Sequence, residues 1–204
     1  ETADSVLERA PRALRHRGRA VTVEDYEDLA RLTSADVARA WCVPLIDLAA
    51  QPGRIISTVA DEEEGAGKVS VIIVPRTADA KPLPSRALME RVAGYLRKHS
   101  LATTSLSVVG PLYLRIGIEV HLRLASLRFD DRVKRQLGEA FAAYLHPLSG
   151  RGGEGWPFGR RPHDSDIHRL IRSVAGIDHV SYLSIDVSAD ERPLGCTDDP
   201  VEAI

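Results

Sequence analysis

Hydrophobic and polar positions alternate most cleanly over residues 112–124. Leu112, Leu114, Ile116, Ile118, Val120, Leu122 and Leu124 interleave without a miss with Tyr113, Arg115, Gly117, Glu119, His121 and Arg123. Period two means a strand with one buried face. At about 3.3 Å per residue it would run roughly 40 Å, twice an ordinary strand, so it is expected to bend, with Gly117 the natural place, or to outrun the small sheet of its own half. Elsewhere the period lengthens. Tyr26, Leu29, Ala30 and Leu32 follow Thr22-Val-Glu-Asp25, an N-cap with an acidic residue three positions on, and predict a helix over 23–32. Leu88, Val92, Tyr95 and Leu96 predict a second helix, capped by Ser85 and ending near His99. Phe129, Val133, Leu137, Phe141, Tyr144 and Leu145 predict a third, over 130–145, stopped by Pro147. A shorter helix fits 166–174, with Ser165 as cap and Gly176 as stop.

The remaining apolar runs are strand-like. Val37 to Leu45 surrounds Trp41, Lys68 to Pro75 is mostly β-branched, a strand reaches Val109, and a last one covers 178–187. In chain order the elements do not alternate as a doubly wound parallel sheet would. The pattern restarts at Gly110-Pro111, so the expected fold is α+β, with two small sheet-plus-helix subdomains in tandem. The expected boundaries are a basic helical segment over 1–21, a first α+β subdomain over 22–110, a second over 111–188, and an acidic tail over 189–204.

Composition narrows the function classes. With 204 residues, 44% hydrophobic, the chain has the material for packed cores and reads as a soluble globular protein. The 27 basic residues against 29 acidic ones argue against a general nucleic-acid binder. No apolar run approaches the roughly 18 residues that span a bilayer, so membrane insertion is not expected. Cys42 and Cys196 have no neighbouring cysteine and make neither a disulfide framework nor a metal knuckle. Arg9, Arg12, Arg15, Arg17 and Arg19 crowd the start, against the acidic run Asp61–Glu64 and the acidic tail. Such blocks are solvated surface or, more sharply, docking surfaces for neighbouring subunits.

Candidate chemistry is sparse. Gly150-Arg-Gly152-Gly153-Glu-Gly155 has the letters of a dinucleotide fingerprint, yet a helix precedes it and Trp156-Pro-Phe158 follows, where the fingerprint needs a strand before and a helix after. A Gly-rich connector using positive φ is the simpler reading. His163, Asp164, Asp166 and His168 are possible metal ligands by type, but Asp166 and His168 lie two apart on a helix and diverge. Asp166 suits the helix N-terminus. Cys42 sits in an apolar strand and reads as a buried hydrophobe rather than a nucleophile. No catalytic, cofactor-binding or metal residue is therefore assigned. The alternative is a small α+β enzyme or ligand-binding domain using the Gly150–Gly155 loop and the His163–His168 cluster.

Four segments together resemble the baseplate J-like family, the wedge or assembly proteins of contractile phage tails and contractile injection systems. They are Arg17–Asp28 (RGRAVTVEDYED); Val108–Val120 (VVGPLYLRIGIEV); LHPLSG at 145–150 running into GWPFGR at 155–160; and SDIHRL at 165–170 followed by GIDHV at 176–180. The resemblance covers residues 17–187 and implies that this chain is the carboxy-terminal part of a longer protein, in keeping with its non-Met start. It further implies a non-enzymatic structural role, with other wedge subunits, sheath and hub or spike components as partners. The implied location is the cytoplasm during assembly and then the tail or injection particle. The family offers no catalytic residues to carry over. The positions expected to touch partners are the polar row Arg115, Glu119, His121 and Arg123, together with the loop aromatics Trp156 and Phe158.

Overall fold

The computed structural model describes residues 10, 14–51, 65–124 and 130–189. They carry both helices and sheets, an α+β fold built as two units. The first runs to Leu112 and the second starts at Tyr113. The expected acidic loop at 61–64 and the tail beyond Ala189 lie outside the described residues.

In the first unit the order is α1 (Val23–Thr33), β1 (Val37–Pro44), β2 (Lys68–Pro75), α2 (Arg86–His99) and β3 (Ser105–Val109). The sheet has the order β1-β2-β3, with β1 antiparallel and β3 parallel to the central β2. The parallel step needs a crossover, and α2 supplies it. Val71 and Ile73 of β2 pack with Leu29 and Ala30 of α1 and Leu88, Val92 and Leu96 of α2. Ile72 and Val74, on the opposite face of the same strand, are buried too. A strand covered on both faces reads as a continuous apolar run rather than an alternation, as residues 69–74 do. Ser70, the polar exception, donates its hydroxyl to Ile46 O at 2.7 Å and accepts from Leu48 N at 2.9 Å. Its burial is thereby compensated.

Both helix starts follow their sequence signals. Thr22 and Asp25 form a reciprocal capping box on α1, and Ser85 Oγ accepts from Leu88 N on α2. Burial pushes the Asp25 carboxyl up, but the Thr22 and Val21 N–H groups, the Thr22 hydroxyl and the Arg15 charge outweigh it and hold it below the ordinary value.

The second unit contains β4 (Leu114–Leu124), α3 (Asp130–Tyr144), the four-residue turn α4 (Gly150–Gly153), α5 (Asp164–Ser173) and β5 (Ile177–Ala189). Its sheet has two strands, β4 and β5, paired antiparallel from Leu114↔Ala189 to Leu124↔Ile177. Val133 and Leu137 of α3 and Ile167 and Ile171 of α5 form the buried centre against one face of that sheet.

Three expectations need correction here. The long strand does not bend at Gly117, which pairs regularly with Asp186; the ladder shifts instead between His121 and Leu122 and again between Arg123 and Leu124. These are bulges in β5 at Ser181 and Asp178, neither of which has a register partner on β4. The reason is in the β5 side chains, since Ile177, Val180 and Leu183 are three apart whereas Leu183, Ile185 and Val187 are two apart. An extra residue at each wide step keeps all five facing the helices. Nor does β4 outrun its partner, because β5 is two residues longer. Finally, α5 begins at Asp164 with His163 as its N-cap, and Asp166 N and Ile167 N donate to His163 O. Ser165 therefore sits inside the first turn, where Asp164 and Asp166 complement the helix dipole.

Candidate functional site: the outward face of the second sheet

With even-numbered β4 residues turned to the helices, Arg115, Gly117, Glu119, His121 and Arg123 form the opposite face, all exposed. Register adds Ser188, Asp186, Ser184, Tyr182 and His179 from β5 on that same face. The charges meet locally. His121 Nε2 lies 3.5 Å from Glu119 Oε1, and Arg123 Nε lies 3.7 Å from Asp178 Oδ2. The His121 ring leans on Tyr182, with centroids 5.0 Å apart, and Tyr182 remains 47% exposed. The face is thus a polar, doubly charged surface with one aromatic platform. Arg115, Glu119, His121 and Arg123 are brought together on it by strand alternation alone. Its β5 half escapes a sequence reading, because the bulges break the period; the three-residue spacing of Ile177, Val180 and Leu183 is the signal that locates it.

Trp156 and Phe158 lie elsewhere in the unit, and both are half-buried. Trp156 Nε1 donates to Arg160 O at 2.8 Å, and its ring lies 5.5 Å from that of Tyr144 at the end of α3. The glycine loop beside them is built on His146, whose carbonyl accepts from Gly150 N and Trp156 N and whose Nδ1 accepts from Leu148 N and Ser149 N. Glu154 N and Gly155 N both donate to Gly150 O. Four N–H groups that a phosphate would need are thus spent on carbonyls. Gly150 is required sterically, since a Cβ there would collide with Tyr144 O, and Gly152 at φ 80° is required conformationally.

The His163–His168 stretch does not converge. His163 is an exposed N-cap, while Asp166 accepts from Arg169 at 2.8 Å on the helix surface. Among the described residues no three His, Cys, Asp or Glu side chains gather as a metal site would require. A cleft of about 470 Å³ is lined by Arg132, Gln136, Ser173 and Gly176, and by neither the glycine loop nor those histidines. Burial, with the charges of Glu27 and Glu24, pushes the Cys42 thiol up to about 12. At neutral pH it is a protonated core group. Among the described residues no helix is long and apolar enough to cross a membrane.

No family model and no curated protein sequence matches the chain. A solved structure does. The fold is similar to a chain in the cryo-EM structure of the anti-feeding prophage (AFP) baseplate, 6-fold symmetrised, with a TM-score of 0.66 at 17% identity. The match covers 93% of this chain and 39% of that one, so the chain spans well under half the length of its structural neighbour.

Proposed function

We propose that this chain is a structural component of a baseplate, in a contractile phage tail or a contractile injection system, of the J-like wedge type. It acts through subunit contacts rather than chemistry. The observation that carries this reading is the fold shared with a baseplate chain over nearly the whole length of this one. The four sequence segments that resemble the J-like family support it independently. Neighbouring wedge subunits, with sheath and hub or spike components, are the proposed partners. Assembly in the cytoplasm precedes incorporation into the particle.

Within this reading the row Arg115, Glu119, His121 and Arg123 is a contact surface, and the accessible parts of Trp156 and Phe158 form a second. Charges of both signs in one row set register and reject wrong neighbours more than they add affinity. The test is the double reversal Arg115→Glu, Arg123→Glu. Both side chains lie on the exposed face, so the melting temperature should stay nearly unchanged while incorporation into baseplates is lost. Normal particle assembly with both reversals in place would show that this face is only solvated.

A further inference from the structure

The outward face of the second sheet holds groups that are charged and groups that can become so. From β4 come Arg115, Glu119, His121 and Arg123, and from β5 come Asp178, His179 and Asp186. Cross-strand partners share a face, and His179 lies opposite Arg123 while Asp186 lies opposite Gly117. Asp178 has no register partner, yet its carboxylate reaches Arg123 at 3.7 Å. The helices of the unit pack on the other side of the sheet. Among the described residues of this unit, each of the two histidines therefore faces these charged groups and the Tyr182 ring.

Histidine is the side chain whose charge ordinarily changes between about pH 5 and 8. With both rings neutral, Arg115 and Arg123 stand against Glu119, Asp178 and Asp186, and the face is net negative. With both protonated, the cations outnumber the same carboxylates and the sign reverses. The change is also uneven along the sheet. His179 lies directly across the ladder from Arg123, and His121 precedes Arg123 on the same side of β4. Acid thus gathers positive charge at the Leu124 end, where like charges directly opposite are unfavourable, and leaves the Arg115 and Asp186 end as it was. Shape is kept meanwhile. His121 Nε2 lies 3.5 Å from Glu119 Oε1 and the His121 ring 5.0 Å from that of Tyr182, contacts that an imidazolium makes as a donor and as a cation over a ring, so neither has to break.

We infer that the outward face of the β4–β5 sheet is a pH-responsive contact, made while His121 and His179 are neutral and loosened when both are charged. A neighbour matched to the neutral face meets, in acid, charges for which it has no counterpart, and burying an unpaired charge is costly. Charge complementarity governs both the fit and the rejection of wrong arrangements. This names the regulation of the contact surface proposed above and rests on that proposal.

The test uses baseplate particles containing this chain and measures how much of it sediments with them at about pH 7.5 and at about pH 5.5. Retention should fall roughly tenfold in acid. Equal retention overturns the inference. The double substitution His121→Lys, His179→Lys fixes the acid charge at both values. Both side chains are exposed, so its melting temperature should be nearly unchanged, while its retention at neutral pH should match that of the unaltered chain in acid and acid should remove little more. Neutral retention equal to that of the unaltered chain, or a further loss of the same size in acid, would assign the response to other groups and overturn the inference. Should the variant fail to fold, salt decides with the unaltered chain. About 0.5 M salt screens surface charge and should restore retention in acid; a loss that salt leaves untouched overturns the inference. A chain that never enters particles at neutral pH would remove the baseplate reading and this inference with it, whereas entry without any acid loss removes this inference alone.

Discussion

The first unit shields its sheet and the second leaves one face of its sheet open. In the first, β2 is buried on both faces, and Glu27 and Arg31 occupy backbone groups on the outer side of β1. Asp47 ties the turn after β1 to Ser107 of β3 at 2.8 Å; with that hydroxyl first, and the Ala50 and Ala49 N–H groups and Lys68 assisting, its carboxyl is held below the ordinary value despite some burial. Every polar device named there acts inward. In the second unit the buried centre is four aliphatic side chains, and the charged groups of the sheet all lie on the side away from the helices. The lesson is that one chain spends comparable polar residues on two tasks, closing a fold in one place and displaying a surface in the other.

The largest test of this contrast is truncation of the closed core. Ile73 is fully buried in the central strand, so Ile73→Ala should cost about 2–5 kcal/mol, read by chemical denaturation. A loss below about 1 kcal/mol would mean that the first unit is not the tightly packed one. Next comes its guarded edge. Glu27→Ala leaves the Cys42 N–H without its carboxylate and should cost about 1.5–3 kcal/mol. It should also raise self-association in sedimentation, since an unguarded β1 becomes pairable. Unchanged association would show that packing against α1, not the Glu27 bond, protects that strand.

The smallest effect is at the cap. Thr22→Ala should cost about 1 kcal/mol by removing one half of the capping box. The partner half is pH-dependent in a defined direction. Because the folded Asp25 carboxyl titrates below its unfolded value, its contribution is complete above the unfolded value near 3.9 and is lost as pH falls through the folded one. Asp25→Asn should therefore lower stability at neutral pH and flatten the acid limb of the stability curve. An acid limb identical to that of the unaltered protein would assign acid sensitivity to other carboxylates.

Much of the fold is legible in the sequence because local chemistry and tertiary burial agree. The Thr22–Asp25 box, the Ser85 cap, the buried run of β2 and the alternation of β4 each point to the element that forms. The start of α5 is not legible, since Ser165 is a better capping residue than His163 and only Asp164 and Asp166 at the dipole favour the earlier start. The β4 half of the candidate surface follows from period two. The β5 half does not, because a period-two reading from Val187 would turn Ser181 and His179 inward and Val180 outward. Glu27 as guard of β1 is likewise invisible, being fifteen residues from Cys42 and set by how the helix lies on the strand.

The separation of β4 from β5 along the chain has a kinetic consequence. About fifty residues, holding α3 and α5, lie between Leu124 and Ile177, so the ladder closes only after a long loop has been drawn together. During synthesis β4 emerges first. Its alternating apolar row waits without its strand partner until β5 has been made, while β1 and β2 are already available to each other. The second unit is thus the later of the two to close its sheet, and the strand whose outward row is proposed as a contact surface is also the one longest at risk of meeting the wrong neighbour beforehand.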